Sequence, residues 1–370
     1  MENKGTYERY HRQMILEDFG LAGQEKLRQA KVLVVGAGGL GCPVLLYLAA
    51  AGLGQIGVAD DGLVELSNLH RQVIYGTGDI GKLKVECAKT VLERLNPQVR
   101  VQAYPYRLSS RNAWDLIGGY DIVIDGSDNF QTRYMVNDAC ALLGKPLVFG
   151  AVSRYEGQVT VFRDKLNYRD IFPSPPQEGE VLNCSEAGVL GVLTGIIGSF
   201  LANECIKLVT GTGKPLTGEL LTYNALNNSL YSIAITPAGS GLLPAGRETF
   251  EATDYDYFCG HAPAGVEEIG HARLLSLLKD EEIDLVDVRE LREQPELNGF
   301  DHLRIPFSDF EAHLSLIKRD TVVFACQSGK RSLIAARRFR ELNGPDKKKI
   351  YSLKGGIPGL AAIPAPESQP

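Results

Sequence analysis

Gly36-Ala37-Gly38-Gly39-Leu40-Gly41 closes the run Lys31-Val32-Leu33-Val34-Val35 and opens the apolar residues 42–51. A short, almost uninterrupted β-branched run reads as a strand buried on both faces, the kind found in parallel sheets covered by helices. Glycines at its end let the chain turn sharply and bring backbone amides against a phosphate at a helix N-terminus. Such a start commits the chain to alternating strands and helices. Residues 56–60 read as a second strand, 82–95 as a charged helix and 99–104 as a third strand. Residues 121–125 and 146–151 are further apolar strands around a helix at 131–143, and 157–162 extends the sheet. The expected fold class is α/β, a Rossmann-like and mostly parallel sheet.

A second, smaller alternation starts near residue 264: a helix at 271–279, strands at 283–288 and 321–325, a helix at 332–342 and a strand at 349–353. Between the two lies a Pro/Gly-rich stretch, 236–246, of the composition that separates domains. The expected division is 1–245, a linker at 246–263, and a small α/β domain at 264–370. Residues 164–180, with Pro173, Pro175 and Pro176, read as a long loop. The sixteen uncharged residues 188–203 read as a buried helix, too short for a membrane span and followed at once by Glu204 and Lys207.

A net charge of −6 leaves no electrostatic footprint for nucleic acid or an anionic membrane. Seven cysteines without paired spacing argue against a disulfide framework, and the polar start Met1-Glu2-Asn3-Lys4 is no secretory leader. A cytoplasmic location is expected. Cys42, Cys87, Cys140 and Cys205 sit in apolar helical contexts as packing residues, and the six histidines show no ligand spacing.

The glycine loop alone serves NAD, FAD and ATP alike. Gly36, Gly38, Gly39 and Gly41 would approach the phosphates, and Asp60, ending the second strand, can bond a ribose hydroxyl. Ser67-Asn68-Leu69-His70-Arg71-Gln72 and Gly81-Lys82-Leu83-Lys84 then add cations that hydride transfer does not need. Phosphoryl and adenylyl transfer does need them, because charge builds on the phosphates. Lys82 reads as a solvated helix charge, Arg71 and Lys84 as functional. Asp128, beside Asn129 after a strand's carboxyl end, can hold magnesium through phosphate oxygens. Arg12 can reach the same phosphates from a partner subunit.

Taken in order, Arg9-Tyr10-His11-Arg12-Gln13, the glycine loop, Ser67 to Gln72, Gly81 to Glu86, Ser127-Asp128-Asn129 with Arg133 and Asn137, and Glu156-Gly157-Gln158 make residues 8–235 resemble the MoeB/ThiF family. These are adenylyltransferases related to ubiquitin-activating enzymes. The resemblance implies an ATP site using Gly39, Asp60, Asn68, Arg71, Lys84 and Asp128, with magnesium, and Arg12 donated across a homodimer. It implies that the C-terminal glycine carboxylate of a ubiquitin-like sulfur carrier ending in Gly-Gly attacks the α-phosphate of ATP. Whether that carrier serves molybdopterin, thiazole or tRNA thiolation is left open.

Many members of that family hold a structural zinc with two Cys-x-x-Cys pairs. Here Asn167-Tyr168-Arg169-Asp170 and Asp256-Tyr257-Phe258-Cys259 stand in their place, and one thiolate cannot close a tetrahedral site, so no zinc is expected. Cys184 corresponds to a loop cysteine able to bond the activated carrier; packing is its competing role.

The second domain carries Cys326-Gln327-Ser328-Gly329-Lys330-Arg331-Ser332 between a strand and a helix. The geometry is expected to expose the thiol to a ring of backbone amides, and helix amides with the cations Lys330 and Arg331 favour a thiolate. This loop, with Leu285 to Glu290, Arg304-Ile305-Pro306 and Gly355-Gly356-Ile357-Pro358-Gly359, resembles the active loop of rhodanese domains. The resemblance implies that a donor such as a cysteine desulfurase places a sulfane sulfur on Cys326. The persulfide would then give a carrier thiocarboxylate, directly or through a disulfide with Cys184. Gln327 replaces a common cation, and Leu360 a frequent tryptophan. Two other readings stay open: a NAD- or FAD-dependent oxidoreductase with a fused sulfur-transfer domain, and a noncatalytic carrier-binding scaffold.

Overall fold

The computed structural model describes residues 4–176, 188–237, 243–259, 266–294, 297, 299–343 and 348–357. The chain forms two compact units, Met1–Cys259 and Gly260–Pro370. The first opens with helices α1 (Lys4–Met14) and α2 (Gly20–Gln29), in a region where the sequence suggested no element. It continues through β1 (Lys31–Val35), α3 (Gly41–Ala51), β2 (Gln55–Ala59), α4 (Lys84–Leu95), β3 (Arg100–Tyr104), α5 (Ser110–Gly118) and β4 (Ile122–Asp125). Then come α6 (Phe130–Leu143), β5 (Leu147–Ser153), β6 (Glu156–Phe162), α7 (Gly191–Thr210), β7 (Glu219–Asn224) and β8 (Ser229–Ala234).

These strands form one sheet in the order β3-β2-β1-β4-β5-β6-β7-β8. The first five are parallel and the last three antiparallel. Alternation along β1 sends Val32 and Val34 into one core cluster and Leu33 and Val35 into the other, so both faces are covered. Because β1 pairs with both β2 and β4, the connections leave in opposite directions and open a crevice at the strands' carboxyl ends.

Helix α7 is long and apolar enough to cross a membrane by length and composition. In this fold Leu193, Ile197, Leu201 and Cys205 of α7 are core residues of the first unit. Its glycines permit close approach: a Cβ on Gly198 would lie 2.3 Å from Pro43. Gly198 therefore lets α7 pack closely against α3.

The expected linker at 246–263 needs correction. Helices α8 (Arg247–Ala252) and α9 (Tyr255–Phe258) belong to the first unit, and Phe250, Tyr255 and Cys259 are buried in its core. Phe250 packs on Trp114 of α5, with ring centroids 5.6 Å apart. The aromatic residues beyond the Pro/Gly-rich segment still have apolar surface to bury, which keeps them with the first core.

The second unit contains β9 (Glu267–Ile269), α10 (His271–Asp280), β10 (Ile283–Asp287), β11 (Leu303–Arg304), β12 (Thr321–Ala325), α11 (Lys330–Asn343) and β13 (Lys349–Leu353). Its five strands are parallel, in the order β11-β10-β12-β13-β9, so every residue of the central β12 is buried. Leu274, Leu277, Leu285, Val323 and Leu353 form the core.

Candidate active sites

The crevice of the first unit holds a cavity of about 430 Å³, within the range of small-ligand sites. The glycine loop shapes it. Gly36 has φ +91°, and a Cβ there would meet the Gly126 carbonyl oxygen at 2.9 Å. A Cβ on Gly41 would lie 2.0 Å from the Gly36 carbonyl, so these two glycines serve the turn itself. Gly38 and Gly39 line the cavity along with Gly36; Gly41 is not among its lining residues.

Asp60 also lines it, but both its oxygens already accept backbone N–H bonds, from Ala37 and from Gly62, each at 2.8 Å. The carboxylate thus braces the loop while facing the crevice. Arg71, Lys84, Asp128 and Asn129 complete the expected residues that meet there. Arg71 donates to the Ser67 carbonyl at 3.0 Å, and Asn129 caps α6 by accepting from the Thr132 amide at 2.9 Å. Lys84 is the first residue of α4, and Asp128 is exposed at the carboxyl end of the sheet.

Ser67 and Asn68 stand apart from the residues that meet in the crevice. Neither lines the cavity; Asn68 is buried and its Oδ1 accepts the Glu65 amide, which shapes the turn that presents Arg71. Arg12 is exposed at the end of α1 and is not part of this chain's own cavity. Lys82 pairs with Asp79 at 3.1 Å in an exposed ion pair, as a solvated charge would.

The structure adds Gln72, Tyr106, Leu108, Ser127, Thr132, Arg133 and Thr194 to the cavity wall. Tyr106 and Leu108 follow the carboxyl end of β3, a signal the topology rule would have supplied. Gln72 Oε1, Ser127 Oγ and Arg133 Nε are buried with no partner among the described residues. So is Oδ2 of Asp125, whose carboxyl burial pushes upward against the pull of Arg133. A buried polar group left unpaired costs about 1–3 kcal/mol, and Gln72, Ser127 and Arg133 line the cavity, where a polar ligand can meet them. Carboxylate, amide and hydroxyl oxygens are also the donors a magnesium ion takes, together with phosphates.

Where the expected absence of zinc is concerned, the replacing residues have partners of their own. Arg169 donates to both oxygens of Asp138, at 2.8 and 2.7 Å, and Tyr255 donates to Asp138 Oδ2 at 2.8 Å. The guanidinium lies 5.0 Å from the centroid of Tyr134 and 4.7 Å from that of Phe258. Burial pushes the thiol of Cys259 up to about 12, which opposes the thiolate a metal requires. Among the described residues no group of three or more His, Cys, Asp or Glu side chains has metal-binding geometry. These residues do not fit a zinc site.

Cys184 lies outside the described residues. Cys326 directly follows β12 and is fully buried. The chain folds back on it: Ile357 N–H donates to the Cys326 carbonyl at 2.9 Å, and Gly356 lies so close that a Cβ would reach the Gln327 carbonyl at 2.4 Å. The nearest side-chain partner of Sγ is Ser332 Oγ at 3.5 Å, itself bonded to the Gly329 carbonyl and Ser352. Arg331 forms a bidentate pair with Glu293, holding that carboxyl down at about 2. Buried Arg289 is clamped by Asp287 and donates to Gln327 Oε1 at 3.3 Å. The loop is therefore held rigidly from three sides.

Burial pushes the thiols of Cys42 and Cys205 up to about 12, and raises that of Cys140, consistent with packing. None of the six described cysteines is in a disulfide.

Family models match both units. The ThiF family model matches residues 10–241 and the Rhodanese-like domain model residues 271–362. A Thermus thermophilus sulfur carrier protein adenylyltransferase is 51% identical over 70% of this chain and 98% of its own length. A probable adenylyltransferase/sulfurtransferase MoeZ of Mycobacterium tuberculosis is 39% identical over 97% of this chain and 94% of its own. Among solved structures, Escherichia coli MccB with ATP has a TM-score of 0.55 at 22% identity, covering 63% of this chain and 73% of that one, a likeness of fold. With the glycine loop, the cation-lined crevice and the Cys326 loop each in a matched region, the chain belongs to the ThiF family and carries a rhodanese-like domain as its second unit.

Proposed function

We propose that the protein adenylylates the C-terminal glycine of a ubiquitin-like sulfur carrier with ATP and then converts it to a thiocarboxylate through a persulfide on Cys326. The observation that carries this reading is the meeting of Arg71, Lys84, Arg133 and the Asp128 carboxylate around a glycine loop. So many cations serve a triphosphate better than a nicotinamide or flavin. The carrier's carboxylate oxygen attacks the α-phosphorus as the bond to the bridging oxygen breaks and pyrophosphate leaves with its electron pair. Arg71 and Lys84 offset the charge developing on those oxygens, and the α3 N-terminus adds its amides. Asp128, with the oxygens of Ser127 and Gln72 also in the cavity wall, would hold a magnesium ion there. That ion would supply further charge neutralisation when bound.

The terminal persulfide sulfur, delivered by a donor such as a cysteine desulfurase, then attacks the acyl carbon and displaces AMP. A thiol, Cys184 or one from solution, attacks the Cys326 sulfur of the acyl disulfide, breaking its S–S bond so that the carrier thiocarboxylate leaves, and a second thiol from solution reduces the disulfide left on Cys326. The network around Arg169 takes the structural role a zinc would have, so we expect none.

A homodimer with Arg12 supplied across its interface suits the exposed apolar residues on neighbouring helices: Ile15, Leu16, Leu21 and Tyr47, with Leu190 and Val192 at the start of α7. An excess of free thiols and a need for ATP fit the cytoplasm.

The test is ATP–pyrophosphate exchange dependent on a carrier ending in Gly-Gly, followed by weighing the carrier for an added adenylate and then for a thiocarboxylate. Exchange that appears only with carrier supports the reading. Nicotinamide or flavin reduction without exchange would sink it.

A further inference from the structure

Beside the nucleotide crevice lies a second cavity, of about 600 Å³, and the two share Asp128, Arg133 and Val152 as walls. Its lining differs sharply from the first. Phe130, Phe149, Tyr155, Tyr168 and Phe172 surround it, with Ala151 of β5 among the remaining lining residues. Phe149 and Tyr168 are almost completely buried and their ring centroids are 5.1 Å apart, so this wall is preformed. Glu156, bonded to Asn224 at 2.9 Å, lies on the polar side of the cavity.

If the protein adenylylates a Gly-Gly tail, the acceptor carboxylate must come to the Asp128 and Arg133 end of the crevice. Two extended glycines span only about 7 Å, and they carry no side chains to fill an aromatic chamber. The residue before them arrives at the shared wall, where its side chain meets Ala151 and the aromatic rings. A large apolar side chain there exchanges water for ring contacts, whereas a charged one loses its hydration for few partners.

We propose that this cavity receives a large aliphatic or aromatic side chain from the residue immediately preceding the carrier's Gly-Gly, and so selects among carriers by that residue. The inference rests on the adenylylation reading and deepens it.

The test uses the full-length protein and a ubiquitin-fold sulfur carrier in four versions, ending in Leu-Gly-Gly, Phe-Gly-Gly, Gly-Gly-Gly and Asp-Gly-Gly. In ATP–pyrophosphate exchange, carrier KM should rise roughly ten- to a hundredfold from the Leu and Phe tails to the Gly and Asp tails. kcat should change little, as expected for lost uniform binding. Filling the chamber by Ala151→Phe should raise KM for the Leu tail by a similar factor while leaving KM for ATP and for the Gly-tailed carrier nearly unchanged. Should Ala151→Phe fail to fold, Ser153→Phe, at the exposed end of the same strand, makes the same test. Equal KM for all four tails overturns the proposal, as does a filling variant that impairs Leu and Gly tails alike. Absence of exchange with every tail is a different failure: it sinks the adenylylation reading itself, and tail selection with it.

Discussion

Lys84 and Asp60 were both legible in the sequence, yet they carry different loads. Lys84 lines the crevice at the start of α4, while Asp60 spends a hydrogen bond from each oxygen on bracing the loop. Lys84→Ala should lower the exchange rate by roughly a hundredfold or more with the fold intact by circular dichroism. Cys326→Ser should leave exchange unchanged and abolish thiocarboxylate formation, which mass measurement of the carrier would read. Glu293 gives a pH signature. Its carboxyl is held at about 2 by Arg331, below its ordinary value, so the stabilisation is present above the unfolded pKa. It is lost as pH falls from about 4.5 toward 2, and Glu293→Gln should flatten that part of the second unit's acid-unfolding curve. Residues such as Leu108 and Thr194, which line the crevice, were not chosen from the sequence as site residues because nothing local distinguishes them. They matter through where distant elements set them down.

At the scale of elements, α6 is held by charge as well as by apolar packing. Asp138 is fully buried and accepts bonds from Arg169, beyond β6, and from Tyr255 of α9, so one carboxylate ties three segments together. Truncating Arg169 to Ala strands that charge and should cost about 3–5 kcal/mol in urea unfolding. Replacing Arg169 and Asp138 together by Leu should cost much less, since no buried charge is then left unpaired. The strands and helices around this network were readable from their periodicity. The network itself was not: Tyr255 and Asp138 are 117 positions apart, and hydrophobic patterning carries no information about polar partners.

For the whole molecule, the boundary between units decides what can be cut. A fragment ending at Cys259 should fold and keep carrier-dependent exchange, because it retains Phe250 and Tyr255 in its core. One ending at residue 245 should lose both those aromatics and much of its solubility. If Arg12 acts across a dimer, co-producing Arg12→Ala and Lys84→Ala chains should restore activity that neither variant has alone. Random pairing leaves one intact site in half the dimers, so roughly a quarter of wild-type activity is expected. No recovery in the mixed preparation would place Arg12 in its own subunit's chemistry or outside catalysis.

The alternation of strands and helices, the glycine turn and the strand–loop–helix around Cys326 were readable beforehand because each depends on residues within a few positions of one another. Apolar runs, glycine spacing and a cysteine before a helix impose their geometry locally. Which side chains share the crevice, how deeply Cys326 is buried, and that residues 247–259 complete the first core came from the folded chain. Those features are set by contacts between residues far apart in sequence, where packing and the pairing of buried polar groups outweigh local preference.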